Sequence, residues 1–302
     1  MSKIYDLIIL GAGPAGITAA VYAVRKRLNF LIISFDIGGQ TAWSGDIENY
    51  TGYQFITGPE LTLKFQKHME SFGTKTNIPE TVKDLKKEGD RLRVITDKAE
   101  YISRMIIVAT GKKPRMLNVP GEEEYKNKGV TYCATCDGPV FKDKSVAIIG
   151  GGNSALEAAL QMIKISPKVH IVNIGPKLTG DPIMIEKLDQ SQLVEIHNNA
   201  QMKKIYGETF VKGIEFEQQG RVVNLELEGV FIEVGLAPNV GFAGILKKNQ
   251  KGEIIVDQNN KTNIEGVFAA GDVTDVPEKQ IIIACGEGSK ACLSAFKYIS
   301  TH

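Results

Sequence analysis

Gly11-Ala12-Gly13-Pro14-Ala15-Gly16 constrains this 302-residue chain more than any other stretch. It follows directly on the apolar run Asp6-Leu7-Ile8-Ile9-Leu10, and an alanine-rich segment with helical character runs on from Ile17 to Arg27. Asn29 to Ser34 then reads as a second strand. A short, continuously apolar run suits a parallel strand buried on both faces. In the order strand, glycine turn, helix, strand, Gly11 permits the tight turn, Gly13 lets backbone approach a pyrophosphate, and Gly16 lets helix pack on strand. Pro14 and Ala15 lie inside the same turn, where the helix N-terminus faces the phosphates. An acid usually ends the second strand and holds the ribose. Here Ser34 stands in that place and Asp36 comes slightly late.

The same unit recurs. Lys144 to Ile149 reads as a strand, Gly150-Gly151-Gly152-Asn153-Ser154-Ala155 as the turn, the stretch to about Lys164 as a helix, and Val169 to Val172 as the next strand. Two such units imply two cofactor sites, or one site and a relic. After the second strand an NADP site needs arginines for the 2′-phosphate and an NAD site needs an acid. The chain instead runs Asn173-Ile174-Gly175-Pro176-Lys177-Leu178-Thr179-Gly180-Asp181. The phosphate cradle is kept and the discriminating contacts are lost, which disfavours productive use of NADPH.

Between and after these units the chain alternates turns and short elements. Thr57-Gly58-Pro59-Glu60 reads as the capped start of a helix. Arg91 to Thr96 and Glu100 to Ser103 read as antiparallel strands. Met105 to Ala109 is another strand, ending in Ala109-Thr110-Gly111, a tripeptide that often closes a dinucleotide-binding half. Gly121-Glu122-Glu123-Glu124 reads as a solvated loop, and Glu253 to Val256 as a strand. Gly266 to Asp272 is a strand ending in Gly271-Asp272, where a carboxylate can take a ribityl or ribose hydroxyl. Lys279-Gln280-Ile281 leads into a helix from about Ala284 to Tyr298, whose N-terminus can face a flavin carbonyl. The expected fold class is α/β, with two Rossmann-like, three-layer ββα domains. Residues 1–115 and 240–302 form one, and residues 116–239 are inserted in it.

Cys133-Ala134-Thr135-Cys136-Asp137-Gly138 carries the chemistry. Two cysteines at this spacing can close a disulfide, and the same spacing can lower one thiol's pKa. The acid after the second cysteine adds a possible proton donor. Half a zinc site or an inert pair would look alike, but a zinc site needs further ligands. Cys285 and Cys292 lie seven apart and read as packing residues. The four histidines are not expected to cluster, so no metal site is expected. A net charge of +1 implies no attraction to nucleic acid or membrane. No apolar run reaches membrane-spanning length and no signal peptide is visible. A reducing cytoplasm is the expected setting, where such a cysteine pair is more often catalytic than structural.

Gly11 to Gly16, Gly38-Gly39-Gln40, Glu48-Asn49-Tyr50, Cys133 to Gly138 and Gly266 to Asp272, in this order and spacing, resemble the low-molecular-weight thioredoxin reductases over nearly the whole chain. The resemblance implies FAD as cofactor, thioredoxin as substrate, and a homodimer in which the small domain swings. It implies that Cys136 faces the flavin, Cys133 attacks the protein substrate, and Asp137 protonates the leaving thiolate. It extends the FAD contacts to Gly39, Gln40, Asn49, Asp272, Lys279 (where arginine is usual), Gln280 and Ile281.

One departure matters. The NADPH enzymes of that family carry His-Arg-Arg and a further Arg where this chain has Asn173, Ile174, Gly175 and Thr179. The resemblance is therefore closer to the subgroup that takes electrons from reduced ferredoxin. The expected function is a flavin-dependent thioredoxin-disulfide reductase with an external donor, ferredoxin. Its rivals are an NAD(P)H enzyme with an atypical nucleotide site, an FAD-dependent dithiol oxidase, and a redox-sensing flavoprotein without turnover. The flavoprotein of alkyl hydroperoxide reductase is set aside because its extra N-terminal module is absent from this sequence.

Overall fold

The computed structural model describes residues 4–301, which form two compact units. Of these, residues 4–113 and 237–301 lie in one unit and residues 114–236 in the other. Among the described residues no helix is long and apolar enough to cross a membrane.

The first unit is built on the Ile4–Leu10 strand. It pairs in parallel with Phe30–Ile33 on one side and with Glu100–Val108 on the other. Its side chains alternate between two cores. Leu7 and Ile9 face the helices Pro14–Arg25 and Ile281–Thr301. Ile8 and Leu10 face Leu85, Leu92 and Val94 of an antiparallel meander, Val82–Glu88 and Arg91–Thr96. Helices, parallel sheet and meander make the three-layer ββα arrangement.

Glu100–Val108 is one nine-residue strand, not the two short ones expected. Its first half pairs antiparallel with Arg91–Thr96 and its second half pairs parallel with Val267–Ala269. The change of partner midway, which local propensity cannot show, explains why its sequence reads as two pieces. Glu253 to Val256 forms no ladder, only isolated bridges from Ile254 to Lys248 and to Thr274. The last helix starts at Ile281, three residues earlier than expected.

The second unit repeats the plan. Five parallel strands run in the order Val130–Thr131, Gly229–Ile232, Val146–Ile149, Val169–Val172, Val194–His197. The helices Asn153–Met162 and Pro182–Asp189 pack on one face. The antiparallel strands Ala200–Gly207, Val211–Gln218 and Arg221–Glu226 stand on the other.

Two expectations fail in this unit. Glu122 is buried, not solvated: its carboxylate accepts from the Leu117 and Asn118 amides and from the Tyr132 hydroxyl. A buried carboxylate persists only when its oxygens are satisfied in this way. The histidines also cluster in part. His170 and His197 lie on adjacent parallel strands with ring nitrogens 3.2 Å apart, because the strand register cancels 27 residues of separation.

Ile107 is fully buried in the helix-side core of the first unit. Truncating it to alanine removes apolar contact and leaves a cavity, so Ile107→Ala should destabilise that unit by about 2–5 kcal/mol. A lowered urea midpoint, followed by flavin release, is the check.

Candidate active site

The first glycine turn is assembled by backbone contacts that leave no room for side chains. A Cβ on Gly11, whose φ is +107°, would stand 2.3 Å from the Ala109 carbonyl oxygen. One on Gly16 would stand 1.9 Å from the Gly11 carbonyl oxygen. Gly13 by contrast is open, its nearest such neighbour the Gly38 carbonyl at 3.8 Å. The Pro14–Arg25 helix carries no side-chain cap at Gly13. Its first-turn amides are therefore free of side-chain acceptors on the side where Gly13 leaves space.

Several of the other residues read from the sequence as FAD contacts lie near this turn or in the same unit. The Gly38 amide donates to the Ala12 carbonyl at 2.7 Å. The Gln40 side-chain amide reaches the Lys112 carbonyl at 3.4 Å and lies 3.7 Å from where a Cβ on Gly111 would be. The Thr110 hydroxyl donates to the Asn239 carbonyl. A Cβ on Gly271 would come within 3.0 Å of the Ala15 Cβ. Asn49 donates to the Gln280 side chain at 3.1 Å, and Ile281 opens the last helix. Asp272, half-buried, has its carboxyl pushed up by burial and held back by the Lys279 and Lys112 ammonium groups. An uncapped helix start, an open glycine and a desolvated carboxylate fit the pyrophosphate and hydroxyl groups of FAD.

Sequence reasoning missed three features here. Ser34 is not a vacant acid position: its hydroxyl accepts from the Ala12 amide at 3.0 Å and braces the turn. Glu253 is buried and bound by both Lys112, at 3.0 Å, and Lys279, at 3.3 Å. Burial alone would raise its carboxyl, but Asn249 and the two lysines hold it at about 2. Lys279 also donates to the Thr274 carbonyl, so its charge is engaged within the protein. Cys285 does have polar neighbours, Tyr50 and Thr18, yet burial pushes its thiol up, as it pushes Cys292 to about 12.

In the second unit Cys133 and Cys136 form a disulfide at the start of the short helix Ala134–Asp137. The Cys136 amide donates to the Cys133 sulfur at 3.1 Å. Such a donor favours the anionic form of Cys133 once the bond opens. Cys136 is exposed and Cys133 is half-buried. Ala134 and Phe141 anchor the loop in the core beneath. Thr131, buried at the end of its strand, was not anticipated. Its hydroxyl donates to the Asp137 carboxylate in a short hydrogen bond and accepts from the Cys133 amide at 3.2 Å. One hydroxyl thus fixes the acid relative to the sulfurs. A threonine two residues before the first cysteine was the available signal.

The second glycine turn is likewise set by packing. A Cβ on Gly150 would stand 2.2 Å from the Glu233 carbonyl oxygen, while Gly152 is open. Asn173, at the end of the second strand, is buried with its side chain committed. It donates to Asn198 at 2.8 Å and to the Gly175 carbonyl at 3.2 Å, and it accepts from the Gly175 amide at 3.1 Å. Thr179 donates from its amide to the Gly151 carbonyl at 2.7 Å.

Two dinucleotide-type units, one bearing a redox disulfide and the other a phosphate cradle, define a flavin disulfide oxidoreductase. Comparison with known proteins makes the assignment specific. Residues 5–288 match the family described as pyridine nucleotide-disulphide oxidoreductase. The chain is 42% identical to an alkyl hydroperoxide reductase component of Escherichia coli, its F polypeptide, over 303 residues, 98% of this chain and 58% of that one. It thus spans about three-fifths of the curated relatives it matches. The crystal structure of Lactococcus lactis thioredoxin reductase is 36% identical, with a TM-score of 0.93, covering 99% of this chain and all of that one. The ferredoxin-flavin thioredoxin reductase of Clostridium acetobutylicum is 30% identical, with a TM-score of 0.57 over the whole of both chains.

The chain belongs to the pyridine nucleotide-disulphide oxidoreductase family. It is an enzyme of the thioredoxin-reductase type with FAD as its cofactor. The alkyl hydroperoxide reductase polypeptides, set aside in the sequence reading, are relatives of this chain at 42% identity.

Three outcomes are expected. Gly11→Ala should yield protein that has lost most of its flavin, read from the ratio of visible to ultraviolet absorbance. Thr131→Val should slow thiol–disulfide exchange about tenfold, while flavin content stays unchanged. The third concerns Glu233, whose carboxyl is raised from the ordinary 4.5 to about 8 by burial and by the Glu157 carboxylate. Between those pH values the folded state holds a proton that the unfolded state has released, so stability falls as pH rises. Glu233→Gln should flatten that fall in chemical denaturation measured from pH 5 to pH 8.

Proposed function

We propose that this chain is an FAD-dependent thioredoxin-disulfide reductase whose electrons come from an external protein donor, reduced ferredoxin, and not from NADPH. The observation that carries the donor assignment is the commitment of Asn173. The residue where a nucleotide reader belongs spends its whole amide on Gly175 and Asn198. Ile174, the next residue, is 75% exposed and apolar where a 2′-phosphate would need a cation. Thr179 is tied to the turn. Likeness to a clostridial ferredoxin-flavin thioredoxin reductase agrees with this reading.

When bound, FAD supplies the two electrons that open the Cys133–Cys136 disulfide. The Cys133 thiolate, favoured by the Cys136 amide, attacks the disulfide of thioredoxin. A bond forms between Cys133 and one thioredoxin sulfur, and the other thioredoxin sulfur leaves as a thiolate. Asp137, held by Thr131, delivers the proton to that leaving group. Cys136 then attacks the Cys133 sulfur, which restores the Cys133–Cys136 bond and releases thioredoxin as a dithiol.

A second reading keeps this output and changes the input. Gly152 is open, the Asn153–Met162 helix has no side-chain cap, and the matching family is named for pyridine nucleotides. NADH, which carries no 2′-phosphate, would then reduce the flavin directly.

Anaerobic flavin bleaching separates the two. NADH, NADPH and reduced ferredoxin are added in separate cuvettes, and oxidised thioredoxin follows. Bleaching by ferredoxin alone, reversed by thioredoxin, is the expected result. Rapid bleaching by either nucleotide would overturn the donor assignment, and a flavin that thioredoxin fails to reoxidise would overturn the acceptor. In the same assay Cys136→Ser should accumulate a mixed disulfide with thioredoxin at Cys133, whereas Cys133→Ser should form none there.

A further inference from the structure

We infer that the second unit holds a site for a divalent transition metal ion, formed by His170, Glu195 and His197 at the edge of its parallel sheet. The three residues come from two neighbouring strands. His170 stands opposite Glu195 in the Val169–Val172 and Val194–His197 register, and His197 lies two residues further along the same strand face. Their donor atoms all lie within 4.8 Å of one another.

The distances suit a small tetrahedral ion. Two ligands each about 2.0–2.1 Å from zinc at the tetrahedral angle stand roughly 3.3–3.4 Å apart. Here His170 Nδ1 and His197 Nε2 are 3.2 Å apart. Glu195 places one carboxylate oxygen 3.7 Å from His170 Nδ1 and the other 3.7 Å from His197 Nε2. With one donor atom per residue the three span up to 4.8 Å, and closing the triangle on one ion requires the half-exposed carboxylate to move toward the two rings.

The setting is graded in the way a metal site requires. Both imidazoles are about nine-tenths buried, and His197 is braced by the Phe216 ring. Glu195 is half exposed, which leaves a route for the ion and a place for water as fourth ligand. Two imidazoles and one carboxylate suit zinc and its neighbours and do not suit magnesium or calcium. Without an ion one imidazole donates to the other. Binding needs only that each ring carry its proton on the nitrogen turned away, so no proton is lost overall. The competing cation is Lys168, whose ammonium lies 3.0 Å from Glu195. An ion here would tie the edge strand Val194–His197 to its neighbour, through residues distinct from the disulfide and from both glycine turns.

The test uses tag-free, FAD-loaded full-length protein with the Cys133–Cys136 disulfide oxidised, so that these thiols cannot bind metal. Cobalt(II) is titrated in and followed by its ligand-field bands in the red, clear of flavin absorption. Zinc retention is measured by equilibrium dialysis. The expected result is one ion per chain with tetrahedral cobalt bands and a raised melting temperature in zinc. His197→Gln should abolish the bands and Glu195→Gln should weaken binding about tenfold or more. Because Glu195 is partly exposed, its variant keeps the test decisive should the histidine variant not fold. Lys168→Met should tighten binding by freeing the carboxylate. His68→Gln, on a separate helix of the first unit, should change nothing. Absence of cobalt bands in the wild-type protein, or bands and affinity unaltered in Glu195→Gln, would overturn the site.

Discussion

Backbone against backbone, with no side chain between, is the contact on which the first unit depends. The Gly11 carbonyl lies against Gly16, the Ala109 carbonyl against Gly11, and the Ala15 carbonyl against Gly288 of the last helix. In each case an added Cβ would stand 1.9–2.3 Å from an oxygen. A central strand, the first helix and the C-terminal helix therefore converge on one turn. That convergence brings Asp272 and Gln280, from the far end of the chain, into the same unit as Gly11 to Gly16. Buried aliphatic side chains on both faces of the sheet supply the bulk of the stabilisation. Their shapes are interchangeable within limits, whereas the glycines are not.

This division explains what the sequence made legible. Apolar runs bounded by glycine turns marked both parallel sheets, because a strand buried on both faces admits little else. The two cysteines and the acid beside them were readable because the spacing is local. Elements whose partners lie far away were not. Glu100–Val108 reads as two strands because it changes partner midway. Glu253 to Val256 has strand composition yet gains only two isolated bridges at Ile254, to Lys248 and to Thr274, which come from distant or irregular segments and do not extend into a ladder.

Some of the polar residues that escaped notice are satisfied over a long sequence distance. Lys112 and Glu253 meet across 141 residues. The lysine of that pair sits beside a predicted turn and carries no local signal. Glu122 alone of its run of three glutamates is buried, satisfied by the Tyr132 hydroxyl and the Leu117 and Asn118 amides, while Glu123 and Glu124 stay exposed. Thr131 too has its partners near in sequence, and it is unremarkable in composition. Its importance lies in the angle at which a strand end presents one hydroxyl to two neighbours.

The two glycine turns, side by side, show how little such a turn says about its ligand. Ser34 follows the second strand of the first unit, and its hydroxyl accepts from the Ala12 amide. Asn173 ends the corresponding strand of the second unit and lays its amide against Gly151, where a Cβ would come within 2.4 Å of the Asn173 oxygen. In both units the residue placed to read a ribose is consumed in holding the turn. Gly150 would be required by the Glu233 carbonyl alone, whether or not a phosphate ever came near it. Glycines held by packing persist after the reader has changed, because replacing them would cost the fold itself. An intact cradle is therefore evidence for the architecture, and the identity of the electron donor rests on the side chains at the strand end.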